Sequence, residues 1–310
     1  MTGSFHLIVN PAAGGGRAVH SAAEAAGVLA ALGLRHQVTR SASLAHAREL
    51  AAAAVDAGHV AVAGGGDGMA GALAAAVAGQ GGDGVLGLIP AGRGNDLARV
   101  LAIPAGPEAA VTLLAGGTPR RIDLIGVRVG DRPEVTVAGS VYAGLPSVAG
   151  DIANATRWLP GPAAYPLAAL RALAGWSPVT FLLGGIPARP AEFPGYAVVI
   201  ANIAYFGAGM MAAPPARPDD GELDIVTMRH GSRLAFLRVL LRIRAGTHVA
   251  LPQVGLDRAA AVTLTMDRAL PVAADGEVLP GAGPLPAGTP LAVRVLPGAL
   301  RVLAPAEGLS

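Results

Sequence analysis

The stretch VAVAGGGDG at residues 60–68 decides the fold of this 310-residue chain. Its first four residues are small and apolar, which predicts a buried strand, and the glycine run predicts a tight turn. The alanine-rich residues 70–78 then predict a helix. Glycines let a phosphate chain approach the backbone closely, and the carboxylate of Asp67 among them suits a cation that accompanies the phosphates. The stretch therefore predicts a site for a magnesium-bound nucleotide at a strand end.

The same strand-and-helix alternation extends through the first 120 residues. Strands are predicted at residues 6–9, 35–39, 60–63 and 85–89, and helices at 17–32, 44–57, 70–78, 95–101 and 108–115. Alternation of this kind is typical of a parallel sheet covered by helices on both faces. We therefore expect residues 1–120 to form an α/β nucleotide-binding domain.

The pattern changes after residue 118. Predicted strands at 122–129, 134–141, 179–183, 197–203, 223–228, 262–266, 271–278 and 291–296 are separated by Gly/Pro turns and by helices at 163–174 and 232–244. Such a series is typical of an antiparallel sandwich or barrel. We expect a β-rich substrate domain at 121–298, an active site in the cleft between the domains, and a tail at 299–310 that returns to the first domain.

Composition excludes several kinds of chemistry. The chain has no cysteine and no lysine, and all 23 basic residues are arginine. This excludes disulfides, thiolate metal sites, Schiff-base chemistry and a Walker-type phosphate loop. A net charge of +2 is too small to indicate a nucleic-acid partner. No apolar run reaches the roughly 20 residues of a spanning helix, and no signal peptide is evident, so we expect no transmembrane segment and a cytoplasmic location.

Two further glycine-rich turns follow predicted strands. VNPAAGGGR at 9–17 places free amides before a helix start, where an anion can bind and where Arg17 could contact phosphate. PAGRGNDLAR at 90–99 opens the next helix with Asn95 and Asp96. A flexible loop and a simple helix N-cap remain alternatives for these two turns. The GxGxxG pattern at 66–71 leaves a dinucleotide-binding oxidoreductase as another alternative, although Asp67 among the glycines argues against it.

Taken together, these turns resemble the NPxSGxG, GGDGT and GTGND motifs of the diacylglycerol kinase catalytic-domain family, which includes bacterial lipid kinases and sphingosine kinases. The likeness continues through RIDL at 121–124, YFGAG at 205–209, AP at 213–214, DDGELD at 219–224 and ADGE at 274–277. The chain departs from the pattern at Met69 and Arg93, which replace threonines, and at Gly71-Ala72, which replace Asn-Glu. The lost hydroxyls imply altered or reduced activity.

The resemblance implies a fold like those of NAD kinase and diacylglycerol kinase, and it assigns roles to particular residues. With the turns described above, it implies that ATP contacts Asn10, Gly14, Gly15, Gly16, Arg17, Ser41, Gly65, Gly66, Asp67, Gly92, Arg93, Asn95 and Asp96. It implies that Mg²⁺ is organised by Asp67, Asp96 and Asp123. Glu277 would be the general base, supported by Asp275. A structural Mg²⁺ would lie on Asp220, with carbonyls near Arg217 and Glu222.

The resemblance thus implies an ATP- and Mg²⁺-dependent lipid kinase. The leading candidate for its acceptor is diacylglycerol, and the product would then be phosphatidic acid. Open alternatives are a kinase of a soluble acceptor, NAD above all, and a catalytically weak binding protein of the same fold. The lipid would be met at the membrane surface, on its inner face, and the arginine-rich helix at 232–244 could rest on anionic lipid. The sequence leaves the oligomeric state open, with a homodimer as one alternative.

Overall fold

The computed structural model describes residues 4–155, 161–186, 191–207, 209–279 and 283–306. Its first part is a parallel sheet in the order β2-β1-β3-β4. The strands are β1 (Phe5–Val9), β2 (His36–Arg40), β3 (Val60–Gly65) and β4 (Val85–Pro90). Strands β1 and β3 are buried along their whole length, as expected where helices cover both faces of a sheet.

Helices cover this sheet on two sides. They are α1 (Arg17–Ala31), α2 (Leu44–Asp56), α3 (Asp67–Ala78), α4 (Asp96–Val100) and α5 (Pro107–Gly116). Helices α1 and α5 pack together around Leu29 and Leu114. Helices α2 and α3 pack together on a second apolar cluster, which includes Ile8 and Leu73. The carboxyl ends of β1, β3 and β4 therefore open on one edge, where each strand is followed by a glycine-rich turn.

A long antiparallel ribbon joins the two halves of the molecule. Its strands are β5 (Thr118–Val129) and β15 (Leu291–Ala304), which pair from Leu291–Val129 to Ala304–Thr118. At its far end β15 also pairs in parallel with β4, through residues 301 and 302. The expected domain limits at 120/121 and 298/299 fall within these two strands, and the limits themselves stay a prediction.

The second half is a β-sandwich-like domain with helices on one side. Its elements are β6 (Val135–Val137), β7 (Ser140–Gly144), α6 (Leu145–Ala155), α7 (Gly161–Ala174), β8 (Val179–Gly184), β9 (Ala191–Ala201), β10 (Leu223–Arg229), α8 (Arg233–Arg242), β11 (Val254–Ala259), β12 (Ala261–Met266), β13 (Val272–Ala274) and β14 (Glu277–Val278). Around β9, pairing with β7, β8 and β10 is antiparallel throughout.

The predicted fold class is confirmed: an α/β domain with a parallel sheet precedes a β-sandwich domain. Four details differ from the predicted elements. The predicted strand at 134–141 is two strands, β6 and β7, and the one at 271–278 is a hairpin of β13 and β14. Helix α6 and strand β11 had not been predicted. Within the described ranges, no helix is both long enough and apolar enough to cross a bilayer.

Candidate active site

The turns after β3 and β4 are packed against each other. A Cβ atom on Gly92 would overlap the Cα atom of Gly66 and would lie 2.8 Å from Oδ1 of Asn95. The Gly92 amide donates a hydrogen bond to that Asn95 oxygen at 2.9 Å, and the Ala91 amide donates to the Gly65 carbonyl at 2.8 Å. Glycine at residue 92 is therefore required by the close approach of two backbones.

The turn after β1 reaches the same place. Gly14 has a φ of +61°, and a Cβ there would clash with the carbonyl oxygen of Ala91 in the turn after β4. Gly15 and Gly16 are exposed, and space around them is open. Arg17 donates from Nε to the Gly14 carbonyl at 3.0 Å. The structure thus brings the three predicted turns together into one surface of accessible backbone.

Asp67, the first residue of α3, ties two of these turns together. Its Oδ2 accepts a hydrogen bond from the Asn95 amide at 2.9 Å, and its Oδ1 accepts from the Asp96 amide. These amides stand at the start of α4, where Asn95 has a φ of +51°. The carboxylate of one turn therefore satisfies the free donors at the N-terminus of the next helix.

Asp96 connects this surface to the second domain. It is buried, and its Oδ1 accepts a hydrogen bond from the Gly209 amide at 2.9 Å. Nearby, the guanidinium of Arg99 lies 5.2 Å from the centre of the Tyr205 ring. Asp67, Asp96 and Asp275 line one small cavity of about 100 Å³. Three of the predicted acidic residues are therefore brought together from both halves of the chain.

Asp275 is held rigidly by backbone amides. It has a φ of +48°, and its carboxylate accepts hydrogen bonds from Ala138, Gly139 and Ser140 at 2.8–3.0 Å. Burial raises the pKa of this carboxyl, the three amides lower it, and Asp67 raises it further. Asp275 thus fixes the β13–β14 hairpin in place.

Glu277 begins β14 and faces the first domain. Its Oε1 lies 3.3 Å from the point where a Cβ on Gly68 would stand, and Oδ2 of Asp275 lies 3.0 Å from the corresponding point on Gly71. Both glycines are in the first two turns of α3. The exposed carboxylate of Glu277 is therefore next to the glycine-rich turn that contains Asp67.

A cavity of about 620 Å³ opens beside Glu277. Its floor is the small-residue face of α3, and its opposite wall is β6 with the β13–β14 hairpin. Its lining residues are mainly apolar and include Ala72, Ala75, Val137, Val278 and Leu279, with Arg48 and Glu49 also in the lining. A hydroxyl-bearing apolar molecule would fit with its hydroxyl near the carboxylate.

Other predicted nucleotide contacts are placed as follows. Asn10 uses its Oδ1 to accept the Ala12 amide at 3.0 Å, and Ser41 donates its hydroxyl to the Val9 carbonyl at 3.2 Å. Arg93 is exposed in the turn after β4. Their contacts with a nucleotide stay a prediction.

Asp123 lies elsewhere. Its two oxygens accept the amides of Gly221 at 2.8 Å and Gly298 at 2.7 Å. It is not among the residues that line the cavity shared by Asp67 and Asp96. The geometry therefore favours a structural role for Asp123, as a link between the loop at 217–222 and β15, and its place beside Mg²⁺ stays a prediction.

In the acidic loop that carries Asp220, the carboxylates form ion pairs with arginine side chains. Asp220 accepts the Glu222 amide at 3.1 Å with Oδ1, and its Oδ2 pairs with Arg258. Glu222 also pairs with Arg258, at 2.8 Å, while Arg217 pairs with Asp219 at 3.5 Å. With Arg258 in this position, Asp220 does not fit the role of ligand to a structural Mg²⁺.

A nucleotide-borne Mg²⁺ does fit Asp67. In the described part of the chain, no group of three or more His, Asp or Glu side chains could hold a metal ion by itself. A kinase site needs only one or two carboxylates, because substrate phosphates supply other oxygen ligands. Each Asp67 oxygen accepts one amide, and an ionised carboxylate offers about four acceptor positions. Asp67 can therefore still face a cation.

Three contributors were not predicted from the sequence, two at the candidate site and one at the acidic loop that carries Asp220. They are the amides of residues 138–140, the Gly209 amide and the Arg258 guanidinium. Backbone amides occur at almost every residue, so the pattern of side chains does not indicate which of them will bind a carboxylate. Arg258 could have been found only by predicting β11 and its register with β10, which places Arg258 opposite Asp224.

Comparison with known proteins agrees with this architecture. Residues 4–127 match the diacylglycerol kinase catalytic domain, and residues 139–304 match the YegS C-terminal NAD kinase beta sandwich-like domain. A diacylglycerol kinase of Mycobacterium tuberculosis is 34% identical over 310 residues, which cover 99% of this chain and 96% of the relative.

Solved structures also share the fold. A diacylglycerol kinase from Bacillus anthracis has a TM-score of 0.72 at 17% identity and covers 98% of this chain and 97% of its own. An NAD kinase from Archaeoglobus fulgidus, solved in complex with ATP, has a TM-score of 0.53 at 14% identity, with 97% and 94% covered. The fold of this chain is the architecture that these two structures share. The chain belongs to the diacylglycerol kinase family.

Proposed function

We propose that this chain is an ATP-dependent lipid kinase that transfers the γ-phosphate to a lipid hydroxyl, with diacylglycerol as acceptor and phosphatidic acid as product. The observation that carries the proposal is the position of Glu277. Its carboxylate stands beside Gly68, at the edge of the converging glycine turns and at the mouth of a cavity lined mainly by apolar residues. A proton acceptor, a phosphate surface and an apolar pocket thus meet at one point.

The nucleotide would lie on the turns that follow β1, β3 and β4. Their amides are suited to phosphate oxygens, since glycine allows close approach and the helix starts favour negative charge. When bound, Mg²⁺ would neutralise charge on the phosphates, with Asp67 as its protein ligand. Asp67 also holds the turn after β4 through the Asn95 and Asp96 amides. This cross-link would keep the phosphate surface preorganised.

Glu277 would act as general base. The acceptor hydroxyl gives its proton to the Glu277 carboxylate while its oxygen forms a bond to the γ-phosphorus. The bond from that phosphorus to the β–γ bridging oxygen breaks, and ADP leaves with the electron pair. Asp275 does not take the proton in this scheme. With three amides bound to its carboxylate, it positions the hairpin that presents Glu277.

The acceptor would enter the 620 Å³ cavity between α3 and the β13–β14 hairpin. Small residues such as Ala72 and Ala75 leave space for apolar chains, and burial of these chains would supply binding energy. Filling the cavity with Ala75→Leu should therefore raise the KM for lipid more than that for ATP.

The lipid must be reached at a bilayer surface, and α8 provides a suitable face. Leu234 and Leu241 are 71% and 75% exposed, although both are large and apolar. Arg238 and Arg242 share this exposed side, and the sequence from 232 to 244 contains no acidic residue. Exposed leucines among arginines suit anionic lipid, because apolar insertion and charge attraction act together.

Vesicle flotation tests this surface. Wild type should float with vesicles that contain phosphatidylglycerol, should float less with phosphatidylcholine alone, and should be released by high salt. The double variant Leu234→Ser, Leu241→Ser should lose most of this binding while keeping its activity on a detergent-dispersed lipid. Equal flotation of the double variant would remove α8 from the interface.

Transfer of labelled phosphate from ATP to a lipid panel tests the kinase itself. The panel should contain diacylglycerol, a sphingoid base, a polyprenol and NAD⁺. Labelled phosphatidic acid is the expected product, and labelled NADP⁺ would instead assign the chain to soluble acceptors. Glu277→Gln should lower kcat by about 10²–10⁴-fold, which is the usual contribution of a general base. Glu108→Gln, an exposed carboxylate on α5, is the control and should keep full activity. Near wild-type turnover in Glu277→Gln would exclude the proposed base.

A further inference from the structure

Arginine side chains pair with the acidic side chains of the segment 217–224. Arg258 contacts three carboxylates at once: Asp220, Glu222 at 2.8 Å and Asp224 at 3.7 Å. We propose that the Arg258 guanidinium takes the place of a divalent cation in this loop, so that the loop is folded without a structural metal. This inference does not depend on the proposed reaction.

The position of Arg258 follows from strand register. In the antiparallel pair of β10 and β11, Arg258 stands directly opposite Asp224. Opposite charges on facing strand positions attract each other, and the length of the arginine side chain lets its head group reach Asp220 and Glu222 as well. The planar guanidinium carries five N–H donors, which are enough to serve several carboxylates.

Asp224 favours a positive charge at this point. It is only 1% exposed, and neither of its oxygens has a hydrogen-bond partner in the described part of the structure. A buried carboxylate without compensation is costly, and Arg258 is the cation that approaches it. A divalent ion at the same place would need oxygen ligands at about 2.0–2.6 Å and would be repelled by the guanidinium.

The other acidic side chains near the loop are also paired with arginines or with backbone amides. Asp219 lies 3.5 Å from Arg217 and 3.7 Å from Arg120. Asp123 accepts the Gly221 amide, and its own amide donates to the Pro218 carbonyl at 2.6 Å. The loop is therefore fixed to β5 by the two hydrogen bonds of Asp123, and its four carboxylates pair with three arginines.

Metal analysis and thermal unfolding, both without nucleotide, test the proposal. Wild type dialysed against Mg²⁺ and then against metal-free buffer should carry no stoichiometric metal, and its Tm should be equal in EDTA and in Mg²⁺. Arg258→Met removes the charge but keeps the apolar stem, and it should lower Tm by about 4 °C in EDTA. Mg²⁺ or Ca²⁺ should restore part of this loss in the variant and should leave wild type unchanged.

Arg294→Met is the matched control. Arg294 makes a two-bond pair with one exposed carboxylate, Glu134, at 2.7 and 2.8 Å. Its loss should lower Tm by about 1 °C, with no response to either cation. A fall in the wild-type Tm on addition of EDTA, or a tightly bound metal in wild type, would overturn the proposal. An Arg258→Met variant that behaves like the control would do the same. If Arg258→Met does not fold, the wild-type measurements still decide the question.

Discussion

Substituting alanine for Gly92 should separate the nucleotide-binding turns without removing any functional side chain. Gly92 does not have a positive φ, so the backbone itself accepts alanine. The obstacle is the facing turn. The new Cβ would overlap the Cα atom of Gly66, and it would lie 3.2 Å from the Gly66 nitrogen and 2.8 Å from Asn95 Oδ1. Each of these atoms belongs to the proposed phosphate surface.

The size of the effect follows from these distances. Carbon atoms rest at about 3.5–4.0 Å, so the two turns must move apart by about 1 Å. A displacement of about 1 Å at a site that positions reacting groups costs on the order of 10²-fold in rate. Overpacking of this kind also costs about 1–3 kcal/mol of stability. We therefore expect Gly92→Ala to fold, to bind ATP more weakly and to lose about 10²-fold in kcat/KM for ATP.

Calorimetric titration with a non-hydrolysable ATP analogue and steady-state phosphate transfer would measure both consequences. Gly27→Ala is the control, because Gly27 is an exposed residue inside α1 with open space around it. That substitution should stabilise the helix by up to about 1 kcal/mol and should leave nucleotide affinity unchanged. Nucleotide affinity and turnover of Gly92→Ala equal to those of the control would refute the idea that contact between these turns shapes the site.

Two further predictions concern the titratable groups Asp275 and His248. Asp275→Asn should lower Tm, because an NH₂ group replaces one carboxylate oxygen and then faces backbone amide donors. The expected loss of stability is about 1–3 kcal/mol. Glu277→Gln, in contrast, should lower activity with an unchanged Tm. A normal Tm in Asp275→Asn would contradict the positioning role. Burial lowers the pKa of His248 from its ordinary value of 6.5. Below pH 6.5 the unfolded chain therefore binds a proton at this histidine more readily than the folded chain does, and the free energy of unfolding falls as the pH falls. His248→Gln, which keeps a donor for the Ala212 carbonyl, should have a flatter dependence of Tm on pH than wild type between about pH 7 and about pH 5.

Much of the fold could be predicted because local signals agree with it. Apolar strands before glycine turns and alanine-rich helices after them define the first domain, and the observed β3 and α3 follow the predicted stretch at 60–78. In the second domain short strands alternate with turns, so their number and limits depend on pairing partners far away in sequence. Strand β11 is an example, since its residues 254–259 are mostly partly exposed and carry little apolar periodicity.

The candidate site was predictable to the extent that side chains define it. The motifs in the sequence predicted residues that lie side by side in the structure, namely the glycine turns with Asp67, Asp96 and Asp275. The assignment of Asp220 to a metal stays a prediction, and the structure pairs this carboxylate with an arginine instead. A carboxylate's partner is set by tertiary register, and here the register supplies Arg258.

The ribbon of β5 and β15 has a consequence for how the protein is made. Strand β4 receives its outer neighbour only from residues 301 and 302 of β15, about 200 positions later in synthesis. Until those residues leave the ribosome, the edge of β4 offers unpaired N–H and C=O groups, which are a template for pairing with another chain. The nucleotide-binding half is thus translated first but finished last, and nascent chains stalled before β15 should depend most on chaperones.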